Sequence, residues 1–203
     1  MEVYNIFPIP IGIETYPNHF AIKKTFYNFK KDCEKNVSGT NPNLIHYHSR
    51  QHSVLNHSIF AEFKQWCQDV CCNYVRETLF YEVDNMLCTD SWINVSNKDS
   101  AQYYHTHTNA FVSATYYINY DKDNHSPLTF VENNSSTQPC ISLNSNVGRD
   151  INFHPSEGSI ILWPSHIKHG YVDNRADDRM VVSMNFMPET VKHGPHQYRV
   201  LPI

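Results

Sequence analysis

Between residues 57 and 86 the apolar positions Ile59, Phe60, Phe63, Trp66, Val70, Tyr74 and Val75 recur at spacings of three and four. That period predicts an amphipathic helix with one strongly apolar face, which must be covered by something, most simply a sheet. A further helix is predicted over 18–36, following Pro17. Upstream, 3–13 is apolar and β-branched but carries Pro8 and Pro10, which suits an extended edge segment and not a central strand. The Asn-, His- and Ser-rich stretch 37–56 reads as a loop.

Beyond residue 90 the pattern changes to short runs rich in Val, Ile, Thr, Tyr and Phe, at 91–95, 102–107, 111–120, 127–131, 151–154, 159–163, 167–172 and 179–187. Turn residues separate them, and a polar loop occupies 132–150. Eight short strands with regular punctuation predict a sandwich or jelly roll, not a parallel α/β sheet. The expected protein is mainly β with N-terminal helices. It is expected to be a single domain over 1–203, with an extended segment and supporting helices in 1–89, a β core in 90–190 and a tail in 191–203.

Composition narrows the function. The 203 residues suffice for a real core. The six glycines, Gly12, Gly39, Gly148, Gly158, Gly170 and Gly194, lie too far apart for a phosphate-cradling loop. Lys and Arg total 16 and the net charge is −4, so no bulk nucleic-acid binding is expected. The pairs Lys23-Lys24 and Lys30-Lys31 repeat at helical spacing and read as a solvated face. No basic segment followed by an apolar run opens the chain, and no apolar stretch reaches 18 residues. The six cysteines form no C-x-x-C pair, and Cys67, Cys71 and Cys72 read as small buried side chains on one helix. A reduced, cytoplasmic protein without a membrane partner is expected.

Thirteen histidines are the oddity that remains. In Tyr103-Tyr104-His105-Thr106-His107 the two imidazoles share one face of a strand, about 6.6 Å apart, and can converge on one ion. Taken alone, the pair also reads as ordinary surface or core histidines. A second signal follows: the apolar run Gly158 to Trp163, ending in Pro164-Ser165, then His166-Ile167-Lys168-His169-Gly170. Ten residues after His169, Arg179 opens the last strand, with Val181, Ser183 and Asn185 on its face. An arginine entering a barrel interior needs an anion; the plainer alternative is an ion pair with Asp177 or Asp178 at a strand edge. His46, His48, His52 and His57 lie in a polar segment without strand character, and His19, His125 and His154 have no partner legible in the sequence.

The order H-x-H, then a Gly-led strand ending W-P-S, then Lys168-His169-Gly170, then Arg179 resembles the Fe(II)- and 2-oxoglutarate-dependent dioxygenases. More narrowly it is similar to the 2OG-Fe(II) oxygenase group of marine bacteria and their phages, which is prolyl-4-hydroxylase-like. The matching stretches are Asn5 to Ile11, Ser91-Trp92-Ile93-Asn94-Val95, His105 to Asn119 and Arg179 to Phe186. The resemblance implies a double-stranded β-helix, a jelly-roll or cupin-like barrel, with one iron in its mouth. His105 and His169 would be ligands, and His107 stands where most relatives carry a carboxylate, leaving a three-His iron, a two-His iron or a carboxylate from elsewhere; three His is preferred. Arg179 would grip 2-oxoglutarate, Tyr117 would support that contact and Asn94 would line the pocket. Val181 stands where many relatives carry Ser. Trp163, Phe111 and Phe130 are candidates for an apolar wall.

The implied activity is hydroxylation of a peptidyl proline or small molecule, with O2 as oxidant, Fe(II) as metal and 2-oxoglutarate converted to succinate. The implied location is the cytoplasm of a bacterium or of a phage-infected cell. Two other classes fit the same histidines, a cupin-like binding module without turnover and a zinc hydrolase, and the lack of H-E-x-x-H argues against the latter. Substrate choice is expected to reside in 132–150 and 37–56.

Overall fold

The computed structural model describes residues 2, 9–37, 41–48, 53–131, 150–193 and 195–201. The N-terminal third contributes β1 (Gly12–Thr15), helix α1 (His19–Phe29), the strand pair β2 (Glu34–Val37) and β3 (Leu44–His48), and helix α2 (Ala61–Asn73). The β core follows as β4 (Met86–Ser96), β5 (Gln102–His105), β6 (Val112–Asn119), β7 (Leu128–Val131), β8 (Ile151–Phe153), β9 (Ser159–Pro164), β10 (Lys168–Tyr171) and β11 (Arg179–Pro188). A last hairpin joins β12 (Thr190–His193) to β13 (His196–Arg199), inside what the sequence presents as a tail.

Seven strands form one antiparallel sheet in the order β1-β9-β6-β11-β4-β3-β2, and four form a second in the order β5-β10-β7-β8. The expected jelly roll is therefore present as two sheets, with no ladder closing them into a continuous barrel among the described residues. β1 takes the edge of the large sheet, as its neighbouring prolines require.

Strict alternation along the central strands divides the interior into two cores. Tyr116 and Ile118 of β6, Ile160 and Leu162 of β9, and Met180, Val182 and Met184 of β11 pack with Phe26, Phe60, Phe63, Cys67 and Cys71 from the helical side. Their neighbours Tyr117, Ile161, Trp163 and Val181 face the other way, against Leu128 and Phe130 of the small sheet. With both faces buried, these strands read as near-continuous apolar runs. The rings of Phe26, Phe60 and Phe63 are essentially inaccessible, each stabilising the fold by roughly 1.5–3 kcal/mol. The parity matters for function. Once Met180 and Val182 face the helices, Arg179, Val181 and Ser183 must face the space between the sheets.

Three N-terminal expectations are corrected. The predicted helix 18–36 stops at Phe29 and its end is taken by β2, which pairs with β3; within the expected loop 37–56, β3 pairs with β4. β3 becomes a strand because β4 offers it an edge, and β2 because β3 then offers the next, not because of their own pattern. The predicted helix 57–86 is regular only over Ala61–Asn73, ending in a π-turn over Tyr74–Thr78. Cys67, Cys71 and Cys72 are buried, as expected of small apolar side chains. No helix among the described residues is long and apolar enough to cross a membrane. Most of the expected loop 132–150 lies outside the described residues, as do His52, Cys140 and Asn5 to Phe7.

Candidate metal centre and co-substrate pocket

Pairing of β5 with β10 places His105 directly opposite His169, with ring centroids 4.6 Å apart. That close approach needs Gly170, where an added Cβ would come within 2.4 Å of the Gln102 carbonyl oxygen. His107 lies just past the end of β5, and its backbone N–H donates to Ser165 O at 3.0 Å. One ligand-type nitrogen from each of the three rings falls within 4.8 Å of the others, and Nε2 of His105 is 3.1 Å from Nε2 of His107. His166, the nearer rival in sequence, is exposed and outside the cluster.

The opposite ring edges fix the tautomers. Each Nδ1 has an oxygen acceptor: Tyr103 O for His105 at 2.7 Å, Asn185 Oδ1 for His107 at 2.5 Å, and Ile167 O for His169 at 2.9 Å. A carbonyl oxygen can only accept, so each Nδ1 carries the proton and each Nε2 lone pair is left to the cluster. The Trp163 indole Nε1, 3.2 Å from Nδ1 of His169, is also a donor and therefore sits beside that bond without replacing it. Burial holds the proton affinity of His169 down to about 3, and burial also lowers that of His107. Three neutral imidazoles with converging lone pairs and hydrogen-bonded outer nitrogens are a donor set that fits a divalent transition metal. No carboxylate joins the cluster among the described residues.

A cavity of about 150 Å³ opens from the histidines between the two sheets. Arg179, Val181 and Ser183 line it from β11, Tyr117 from β6, and Asn94 and Trp92 from β4. Arg179 is 2% exposed, donates from Nε to Ser126 O at 3.2 Å, and stacks over the Tyr171 ring at 4.4 Å. The plainer ion-pair alternative does not hold. Asp177 accepts the Lys98 amide and Asp178 accepts the Tyr27 hydroxyl, and no acidic side chain bridges to Arg179 among the described residues. The fully buried Tyr117 hydroxyl meets hydrogen-bond geometry with no partner among the described residues, although the Arg179 guanidinium lies close enough to pull its proton affinity down; burial outweighs that pull and pushes it up to about 12. Trp163 lines the cavity with Phe130 packed on its ring at 5.5 Å, whereas Phe111 faces elsewhere.

Several histidines fall where their sequence gives no hint. His46, on β3, lines the cavity and donates from Nδ1 to Asn94 Oδ1 at 2.6 Å, while Asn94 Nδ2 donates to Ser183 at 3.0 Å. His19 bridges the buried Tyr116 hydroxyl and Glu157, and Lys23 also binds Glu157, so the basic face of α1 is partly a tether. His125 accepts the Asp121 amide and His154 contacts the Tyr120 hydroxyl. A polar, irregular segment gives no period from which such cross-strand partners could be read.

Residues 90–185 match the family described as "Putative 2OG-Fe(II) oxygenase". Over this segment, just under half of its length, the chain is similar to the 2OG-Fe(II) oxygenases. The match spans every residue of the cluster together with Arg179 and Tyr117, and it decides for an oxygenase over a binding module or a zinc hydrolase. Solved structures share the oxygenase's fold at low identity. HygX of Streptomyces hygroscopicus, with nickel, 2-oxoglutarate and hygromycin B bound, has a TM-score of 0.61 at 14% identity, over 89% of this chain and 83% of that one. A prolyl-4-hydroxylase of Pseudomonas putida has a TM-score of 0.61 at 11% identity, over 89% and 93%. A 2OG-Fe(II) oxygenase family protein of Burkholderia pseudomallei has 0.57 at 12% identity, over 86% and 84%. No curated protein matches the oxygenase by sequence.

Proposed function

We propose that His105, His107 and His169 hold Fe(II) through Nε2, and that Arg179 and Tyr117 receive the distal carboxylate of 2-oxoglutarate. Arg179 carries this reading: its buried guanidinium has no acidic partner among the described residues in the cavity that the three imidazoles share. Leaving a buried cation unpaired costs several kcal/mol, so the cavity calls for an anion. A carboxylate there can take paired guanidinium donors, and the unpartnered Tyr117 hydroxyl adds a third. HygX, a neighbour in fold, was crystallised with 2-oxoglutarate and nickel bound.

Bound iron and 2-oxoglutarate supply the oxidising power, coupling O2-dependent decarboxylation of the co-substrate to succinate with hydroxylation of a substrate C–H bond. The protein's own residues position and exclude. Ser126 O and the Tyr171 ring hold the Arg179 fork in one orientation. Leu128, Trp163 and Val181 wall the cavity against water, which strengthens the carboxylate contact. Asn94 takes no free role at the co-substrate, since its amide is committed to His46 and Ser183; it orders the cavity wall. The three Nδ1 bonds keep each imidazole in the tautomer that can ligate.

In this reading 1–203 works as one unit, the helices bracing the large sheet behind the site. The substrate is a small molecule or a peptidyl proline, and no nucleic acid or membrane takes part. Five cysteines without disulfides among the described residues support a cytoplasmic setting. The test is succinate formation from 2-oxoglutarate with Fe(II) and ascorbate. Wild type should form succinate and Arg179→Ala and His169→Ala should not; equal rates in all three would overturn the assignment.

A further inference from the structure

On the far side of His107 lies a second, larger hollow of about 1140 Å³. His107 lines both spaces, so the groove runs up to one of the three clustered histidines, whereas Arg179 lines only the smaller cavity. Its other walls come from Ile9 and Pro10, from the segment 78–81 after α2, from 106–111, and from Pro164 and His166. Among the described residues no Lys, Arg, Asp or Glu lines it, and the titratable side chains there are His107 and His166.

The segment after α2 is built in an unusual way. The helix ends in a π-turn over Tyr74–Thr78, a feature that concentrates at functional sites. Phe80 then adopts φ 59°, a left-handed backbone that glycine or asparagine takes far more easily than a bulky residue. Its ring is 85% exposed, so it adds nothing to either core. Neighbouring Tyr81 is also exposed and meets the Phe111 ring edge-on at 5.2 Å. The segment is not slack. Arg76 donates to the Val83 and Asp84 carbonyls, and the Tyr81 amide donates to Val75 O at 3.1 Å. The fold thus holds an aromatic ring in water, on unfavourable backbone, at the rim of a groove that leads to the candidate iron.

We infer that this groove seats the oxygenase's substrate, and that the substrate is an uncharged, ring-bearing small molecule. The inference rests on the oxygenase reading above and adds the substrate class. A charged group seated here would lose part of its water and meet no Lys, Arg, Asp or Glu among the described residues. A neutral ring would bury apolar surface and stack on Phe80 and Tyr81, and the hydroxyls of Thr78, Thr106 and Thr108 offer uncharged hydrogen bonds. The two spaces on either side of His107 then sort their ligands by charge: the anion goes to the Arg179 side and the neutral ring to the Phe80 side.

Two fluorescent probes with the same rings test this in the full-length protein: neutral N-phenyl-1-naphthylamine, and 1-anilinonaphthalene-8-sulfonate, which adds one negative charge. The neutral probe should bind at least about tenfold more tightly than the sulfonate. Phe80→Ala should weaken the neutral probe about fivefold while leaving the thermal midpoint unchanged, because the ring is exposed. Loading with paramagnetic Mn(II) should broaden the bound probe's proton resonances in wild type and not in His169→Ala. Equal affinity for the two probes, full affinity in Phe80→Ala, or absence of Mn(II) broadening would overturn the inference. Displacement of the probe by a capped hexaproline peptide at lower concentration than the probe itself requires would also overturn it, in favour of a peptide. If the neutral probe meets the first two expectations while 2-oxoglutarate fails to bind the metal-loaded protein, the groove stands and the oxygenase reading falls.

Discussion

Asn185 Oδ1 accepts a hydrogen bond from Nδ1 of His107 at 2.5 Å, across the gap between β11 and the turn after β5. Asn185 is 4% exposed, and Ser113 Oγ is the other polar atom near that nitrogen, at 3.1 Å. His107 is thus oriented by an amide on the same strand that carries Arg179, which ties the proposed metal ligand to the strand of the proposed co-substrate contact. Removing such an outer partner weakens metal binding by roughly 10–100-fold in other sites. Asn185→Ala should lower Co(II) affinity by that order in a competition titration. Asn185→Asp, which keeps the acceptor and adds charge, should retain it.

Tyr117 predicts opposite signs for stability and binding. Its buried hydroxyl is in hydrogen-bond geometry with no partner among the described residues, and an unsatisfied buried hydroxyl costs about 1–3 kcal/mol. Tyr117→Phe should raise the thermal midpoint of the ligand-free protein by a few °C. The same change should weaken 2-oxoglutarate binding to the metal-loaded protein about fivefold, by loss of one donor. A midpoint that falls would show the hydroxyl already satisfied.

Gly170→Ala should damage the site through the backbone. The added methyl would lie 2.4 Å from the Gln102 carbonyl oxygen and 2.8 Å from the Tyr104 ring, so β5 and β10 must separate. Because that pairing sets His105 opposite His169, metal affinity should fall together with stability, each measured on the same preparation.

How far the sequence carried the site depends on which contacts are local. His105, His107 and Arg179 stood out by spacing and strand parity, while His169 and Tyr117 were singled out by the family resemblance; all five line one cavity. His46 was not. It reaches the pocket only because β3, a polar strand with no period of its own, pairs with β4 and sets His46 opposite Asn94. Asn185 was legible as a member of the Arg179 face, but its bond to His107 depends on how two strands of different sheets approach. The helical overshoot past Asn73 has a similar cause: the apolar period runs on, while the backbone turns away at Tyr74–Thr78 and Phe80.

Glu157 ties α1 to the sheet and gives a pH dependence. Burial alone would raise its carboxyl, but hydrogen bonds from Lys23, His19 and the Tyr120 amide more than offset this and leave it below the ordinary 4.5. With a lower proton affinity folded than unfolded, the unfolded state binds more protons as the solution is acidified. The contribution is therefore present in full above about pH 4.5 and lost as pH falls through the folded value. Glu157→Gln should cost roughly 1 kcal/mol at neutral pH and flatten the fall in thermal midpoint between pH 5 and about 3.

The central claim is that three imidazoles and one buried arginine together make a metal-dependent 2-oxoglutarate site. Calorimetric titration of 2-oxoglutarate into anaerobic protein, with and without Fe(II), tests it most directly. Wild type should bind one equivalent only when iron is present, His169→Ala should fail with or without iron, and Arg179→Ala should lose at least about a hundredfold in affinity. Binding that ignores the metal, or that survives intact in Arg179→Ala, would contradict the account.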